Sequence, residues 1–391
     1  MLRAGHLLQL IVIAFLGIAV VMVHSADMRI NGPRFEVQSL LTSKHVIHAG
    51  LAMLVMLAAS RINLRQALEV RWWLNPLIGL LVVSLGLVAV AMVPGIGLEI
   101  NGARRWLRVG GGGFETNFQP SELTKWAIVL VLAWYCSVRH EAMPKFFKGT
   151  LPALMLVGAC AALVVLEDLG TAALMGVVAC ILLIAGGARV WHFLMMVPPI
   201  AAAVVGAVLM KPHRMERLET FLHPWDDAQG AGYQAIQSLI AFAEGGVTGK
   251  GLGNGIQKFG YLPTDTSDFL FANIAEELGL PGCLLIVALY LGMLWAGISV
   301  VKDCKDKFGR LVSLGIVATL VIQAMINIAV VTVVVPTKGI ALPLLSAGGT
   351  GWIVTAFAIG LAASIDQANH LMQLDEEEQE AMPQAGAAAA V

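Results

Sequence analysis

The sequence predicts an all-α polytopic membrane protein. It reads as about ten transmembrane helices with both termini cytoplasmic and a large extracytoplasmic loop between the seventh and eighth. Three observations carry this. Of 391 residues, 58% are hydrophobic and 13% charged, where a soluble domain carries about a quarter charged. The mean hydropathy is +0.79. Ten spans of roughly 20 residues each fit within that apolar supply. The same figures exclude a disordered chain, a nucleic-acid binder and an ordinary cytosolic enzyme. The net charge of -1 is silent on partners, because in a membrane protein the distribution of charge matters and the total does not.

In chain order, the apolar stretches run 7–24, 44–60, 73–94, 121–138, 148–166, 170–187, 190–210, 280–301, 310–334 and 346–366. The first exceeds a signal-peptide core, and no small-residue cleavage site follows it, so it reads as a helix. The second is short and carries His45 and His48, and the sixth is rich in small residues. Gly158, Gly176, Gly186, Gly187 and Gly206 fall inside spans. Such residues let helix backbones approach where lipid supplies no hydrophobic force between them. The chain divides into a membrane domain, 1–366, whose large loop is 211–279, and an acidic, alanine-rich tail, 367–391, too polar and simple to fold alone.

An even number of spans puts both ends on one side, and lysine and arginine choose the side. With the N-terminus inside, the inner segments hold twelve: Arg3, Arg61, Arg65, Arg71, Arg139, Lys145, Lys148, Arg189, Lys302, Lys305, Lys307 and Arg310. The short outer segments hold eight: Arg29, Arg34, Lys44, Arg104, Arg105, Arg108, Lys125 and Lys338. Half of these dissenters lie within 104–125, and a cation cluster that resists the orientation rule points to a task there. The five cysteines form no CxxC or Cys/His pattern, and the nine scattered histidines read as packing or interface residues.

Four outer segments break the membrane pattern. Asn101–Trp106 and Phe118–Lys125 come first. Pro120 suits the first turn of the fourth helix, Gln119 or Ser121 caps it, and Glu122 meets the helix dipole with Lys125 one turn on. Taken alone, that set reads first as a capped helix with a local ion pair and second as a site. Glu167–Thr171 places Asp168 in a tight turn, either as a cap or as a functional carboxylate. Within the long loop, residues 234–243 have amphipathic spacing. Asp268 opens an apolar helical stretch, and is either an N-cap or a functional acid at the bilayer edge, where ionisable groups are expensive. Pro336–Gly339 and Leu342–Thr350 have the glycines and prolines of an irregular backbone. Mixed arginine, lysine and carboxylate chemistry on one face suits an anionic, phosphate-bearing substrate delivered through lipid.

At these residues the chain resembles the SEDS family (shape, elongation, division and sporulation proteins), the membrane peptidoglycan polymerases. The matching stretches are Asn101–Trp106, Phe118–Lys125, Asp168–Thr171, Gly232–Gln234, Gln257–Pro263, Ser267–Gly279 and Pro336–Thr350. Pro336-Thr337-Lys338-Gly339 and Gln257-Lys258 resemble the division branch more than the elongation branch. The chain departs from the family pattern at Glu167, at Thr264-Asp265-Thr266 and at Ala347. The resemblance implies an inverting glycosyltransferase that polymerises lipid II, a disaccharide-pentapeptide on undecaprenyl diphosphate, at the outer face of the cytoplasmic membrane. It implies Asp268 as the general base. Arg104, Arg105 and Lys125 would meet the diphosphate, and Lys338 would bind substrate. Glu122 and Asp168 would orient Lys125 or hold a divalent cation, magnesium or manganese, and Gln119 and Ser121 would support them. No organic cofactor is implied. The implied partners are a class B penicillin-binding protein transpeptidase, other division proteins and membrane lipids, with enrichment at the septum. A lipid II flippase and an inactive scaffold are the rival readings. A transporter places its polar site near the midplane, whereas these motifs gather at outer helix ends.

Overall fold

A computed structural model describes residues 3–28, 37–41, 43–64, 66, 70, 74–100, 103–111, 114–166, 168–198, 221–230, 232–259, 261–262, 267–336, 339–346 and 349–388. The helices in order are α1 (Ala4–Ala26), α2 (Val37–Leu41), α3 (Lys44–Ala59), α4 (Pro76–Ala91), α5 (Pro120–Val138), α6 (Leu151–Val164), α7 (Leu169–Ala185), α8 (Val190–Leu194), α9 (Tyr233–Gly245), α10 (Leu270–Asp303), α11 (Lys307–Val331) and α12 (Thr350–Ala388). A single π-helical turn, Phe146–Thr150, leads into α6. Among the described residues, six helical stretches are long and apolar enough to cross a membrane, and α3, α4 and α7 are shorter apolar helices. Most of the 190–210 stretch lies outside the described residues.

Local signals start and stop these helices. Asn75 caps α4 by accepting from the Leu77 N–H at 2.9 Å, with Pro76 in the first turn. Asp306 does the same for α11, accepting from Gly309 at 2.7 Å. In α10, Gly279 leaves helical geometry at φ 64 and ψ -155, and Pro281 follows. The expected span 280–301 therefore starts at a real break. A Cβ on Gly279 would lie 2.4 Å from the Gly249 backbone nitrogen, so this position admits only glycine.

The core is a contiguous apolar cluster through most of the bundle. Phe15 of α1 packs on Tyr290 of α10 with ring centroids 4.6 Å apart. Close helix approach occurs at glycines other than most of those the sequence suggests. A Cβ on Gly297 would meet Val317 at 2.2 Å, and one on Gly360 the Met56 carbonyl at 2.4 Å. Gly158 and Gly176 face open space, whereas Gly186 packs on Cys136 as a close-approach residue should. Gly206 lies outside the described residues. Which face of an apolar helix meets a neighbour is a tertiary fact that uniform hydrophobicity hides.

Two further expectations are corrected. The all-α reading misses a three-stranded antiparallel sheet, β1 (Leu98–Ile100), β2 (Ala103–Gly111) and β3 (Phe114–Phe118), in the order β1-β2-β3. β1 and β3 are only 3 and 5 residues long, and arginines and glycines interrupt β2, so no apolar run advertises the sheet. The stretch past residue 366, expected to be disordered, is helical to Ala388. Alanine, glutamine and glutamate are good helix formers, and extending a helix that already exists avoids the cost of nucleation.

Candidate active site

The sheet hangs over one end of the bundle and closes a cavity of about 480 Å³. Its walls come from β2 and β3, the first turns of α3, α5, α7 and α12, the approach to α10, one face of α11 and the segment 339–346. Five of the expected site residues line it: Arg105, Gln119, Glu122, Asp168 and Asp268.

Asp168 is buried at the start of α7 and caps it. Its Oδ1 accepts from the Thr171 N–H at 3.0 Å and its Oδ2 from the Thr171 hydroxyl at 2.8 Å. Gln119 Nε2 donates to Asp168 Oδ2 at 2.9 Å and to Ser121 Oγ at 3.0 Å. Gln119 stands at the N-cap of α5 but makes no side-chain cap bond, so the expected capping role yields to a tie between α5 and α7. Arg105 Nη1 stands 3.8 Å from Asp168 Oδ2. Cap, tie and cation thus converge on one carboxylate.

Asp268 lies just before α10, where Phe269 takes the N-cap position without a side-chain cap bond. The capping reading of Asp268 is therefore not realised. Its backbone carbonyl accepts from Asn327 Nδ2 at 2.8 Å, and the same nitrogen donates to the Ile340 carbonyl at 2.7 Å. Asn327 thereby staples the approach to α10 against the segment that follows α11. Gly339 packs on the acid itself: a Cβ there would lie 2.8 Å from Asp268 Oδ2 and 3.9 Å from an Arg105 terminal nitrogen. Burial pushes the Asp268 carboxyl up to about 6, Arg105 pulls against this, and Asp168 adds to it. A carboxylate tuned close to neutrality, in a cavity, beside a guanidinium, is suited to accepting a proton at physiological pH.

Lys125 is buried beneath the cavity floor. Its Nζ donates to Glu122 Oε2 and to Gln323 Oε1, each at 2.8 Å. Gln323 Nε2 in turn donates to the Ala341 carbonyl at 2.8 Å. The local ion pair and the site are the same object: Lys125 positions Glu122 and the 339–346 segment and does not face the cavity. Arg104 turns to Glu99, Nε to Oε2 at 2.9 Å, on the exposed β1 side of the sheet, and does not line this cavity. Lys338, Glu167, Thr264, Asp265, Thr266 and Ala347 lie outside the described residues.

Several residues in and around the cavity escape the sequence reading. Gln323 and Asn327 are polar, four apart, in an apolar span; that spacing is the signal that would find them. His45 and His48 are wall residues, not general packing. The His45 Nε2 lies 2.9 Å from Asp27 Oδ2, and its ring centroid is 6.3 Å from that of Trp352. The acidic pair Glu276 and Glu277 works elsewhere. Glu277 holds buried Lys258 at 2.8 Å, and Glu276 accepts from the Ile256 and Gln257 N–H groups at 2.8 and 3.1 Å, clamping the 250–258 loop to α10.

For a divalent cation, the described residues bring together no group of three His, Cys, Asp or Glu side chains able to hold one. Asp168 is committed to Thr171 and Gln119, and Glu122 to Lys125. These residues do not form a protein cage for magnesium or manganese.

The family described as cell cycle protein, FtsW/RodA/SpoVE, matches residues 6–371. The chain is 36% identical over 364 residues to a probable peptidoglycan glycosyltransferase FtsW of Geobacter metallireducens, spanning 93% of this chain and 94% of that one. It is 34% identical over 362 residues to stage V sporulation protein E of Bacillus subtilis, spanning 92% and 96%. A chain from a solved peptidoglycan synthase complex, studied for the coordination of polymerization and crosslinking, superposes with a TM-score of 0.74 at 26% identity, covering 93% of this chain and 97% of that one. The rod shape determining protein RodA of Thermus thermophilus shares the fold with a TM-score of 0.63 at 24% identity, covering 93% and 96%.

Proposed function

The chain belongs to the FtsW/RodA/SpoVE family of cell cycle proteins, and from that membership we propose that it is a peptidoglycan glycosyltransferase that polymerises lipid II at the outer face of the cytoplasmic membrane. The observation that carries the reading is the Asp268 carboxylate, raised to about 6, against Gly339 and Arg105 in one cavity. The acceptor sugar hydroxyl gives its proton to Asp268. Its oxygen forms a bond to the anomeric carbon of the donor as the bond from that carbon to the diphosphate oxygen breaks. The electron pair leaves with the undecaprenyl diphosphate, and Arg105 meets the charge that develops there. The donor configuration inverts because the attack comes from the side opposite the leaving group.

Asp168 and Gln119 hold Arg105 at this end of the cavity, and Glu122, Lys125 and Gln323 hold its floor. The septal role rests on the division-type motifs Gln257-Lys258 and Pro336-Thr337-Lys338-Gly339. A transpeptidase partner is supported by the likeness to a chain of a synthase complex that couples polymerization to crosslinking.

The deciding experiment is lipid II polymerisation by the purified chain. Asp268→Asn is expected to lower the rate by roughly 10²–10⁴-fold, the range for a positioned general base, while the protein still purifies as a folded monodisperse species. Wild-type-like turnover by that variant would remove the assignment.

A further inference from the structure

Joining two lipid-linked sugars requires two diphosphates near one reaction centre: one that leaves and one that the acceptor keeps. The Arg105 end of the cavity is equipped for only one. There a single guanidinium faces two carboxylates, Asp168 at 3.8 Å and Asp268 across Gly339. Lys125 is spent on Glu122 beneath the floor. The opposite wall carries a separate set of nitrogen groups that the proposed reaction does not use: Lys44, His45 and His48 at the start of α3. Lys44 is exposed, lines the cavity, and has no carboxylate within ion-pair distance among the described residues. Asp27 Oδ2 lies 2.9 Å from His45 Nε2 and fixes that ring, as a carboxylate does for an imidazole that must present its other face. His48 is buried beside Gly349 and Thr116: a Cβ on Gly349 would lie 3.1 Å from His48 Nε2 and 3.0 Å from Thr116 Oγ1.

The hairpin gives the spacing. Thr116 pairs with Val109, four residues along β2 from Arg105. At the rise of an extended strand this is roughly 13 Å, a gap that a disaccharide bridges. Arg105 and the α3 nitrogen groups therefore line one cavity with their anchors about a disaccharide's length apart along the hairpin.

We propose that Lys44, His45 and His48 form a second lipid-diphosphate seat, distinct from the one at Arg105, which holds the acceptor lipid by the diphosphate it retains. The assignment of acceptor to this seat rests on the glycosyltransferase reading, but the seat itself does not. Lys44 supplies the charge and the two imidazoles supply N–H donors, a combination that suits phosphate oxygens.

The test counts ligands, independently of turnover. The full-length protein in detergent is titrated with undecaprenyl diphosphate and followed by native mass spectrometry, with phosphatidylglycerol as the competing anionic lipid. Wild type is expected to take two undecaprenyl diphosphates, neither displaced by a tenfold excess of phosphatidylglycerol. Lys44→Ala with His45→Gln is expected to take one, and Arg105→Ala to lose the other. Retention of one bound lipid, with an unchanged melting profile, separates loss of the seat from loss of the fold. In polymerisation assays Lys44→Ala should raise the lipid II concentration for half-maximal rate about tenfold, with a smaller change in maximal rate. Two lipids still bound to the Lys44/His45 variant with wild-type affinity would overturn the seat, as would displacement by phosphatidylglycerol. An active wild type that binds a single diphosphate lipid would also overturn it while leaving the glycosyltransferase reading intact. A wild type that binds two but never polymerises lipid II would overturn that reading and the acceptor assignment, and support the seat.

Discussion

Three effects set the proton affinity of Asp268 at once. Burial raises its proton affinity, Arg105 lowers it and Asp168 raises it, and the result is about 6. Only the ionised acid accepts a proton, so the polymerisation rate is expected to fall close to tenfold per pH unit below about 6. In Arg105→Ala the pull toward ionisation is gone, and the acid limb should move to higher pH; a limb unmoved or moved down would separate Arg105 from the acid. Stability carries the opposite sign from activity. A carboxyl raised in the folded state costs stability at every pH where it is ionised in the fold, and that cost vanishes once both states are protonated, below about 4. Asp268→Asn should therefore melt above wild type at neutral pH, with the gap closing in acid. A lower melting temperature at neutral pH would mean that the ionised acid is a structural partner and not a strained one.

Elements, not single residues, bring the site together. The sheet carries Arg105 over the cavity, and the Thr350 hydroxyl ties it to α12 by donating to the Asn117 carbonyl at 3.0 Å. Below it, Lys125 links α5 to α11 through Gln323, and Gln323 links both to the 339–346 segment. Leu344 in that segment holds φ at 63, an uncommon conformation for a leucine, and it lines the cavity. Removing one partner of a buried ion pair leaves an uncompensated charge and costs about 3–5 kcal/mol, whereas replacing both with apolar residues is often close to neutral. Lys125→Met is thus expected to melt far lower than wild type, and Lys125→Met combined with Glu122→Leu to recover most of the loss while staying inactive, because Glu122 also faces the cavity. Calorimetry of the single and double variants checks this; full activity in the double variant would leave the floor without a role in the reaction.

At the scale of the whole molecule, the cavity sits at one end of the bundle. α3 begins at Lys44 on the cavity wall and ends at Ala59, roughly 24 Å away at 1.5 Å per residue. On the lysine and arginine count the cavity end is expected outside. The loop clamped by Glu276 and Glu277 belongs to that end, where Lys258 also reaches the Ser25 hydroxyl at the close of α1. A membrane-impermeant maleimide applied to intact cells should therefore label Leu252→Cys and leave Arg61→Cys unlabelled. The five native cysteines are buried or half-buried, and the unsubstituted chain sets the background. The reverse pattern would invert the topology and place the reaction inside.

The amino-acid sequence by itself determined the membrane class and most of the apolar stretches, and it singled out Arg105, Gln119, Glu122, Asp168 and Asp268, which the fold brings to one cavity. Apolar length, charge placement and breaker residues such as Pro120, Gly279 and Pro281 act locally, over a turn or a span, and so are readable in one dimension. Which side chain turns where was decided only by the tertiary structure. Neighbours Arg104 and Arg105 part company because β1 offers Glu99 to one and α7 offers Asp168 to the other. Lys125 goes under the floor because Gln323, 198 positions along the chain, is there to receive it. Burial and Asp168 raise the proton affinity of Asp268 and Arg105 lowers it, and only folding brings these groups together around it. Electrostatics at such short range depends on distance and on solvent exclusion, and neither quantity exists until the chain has packed.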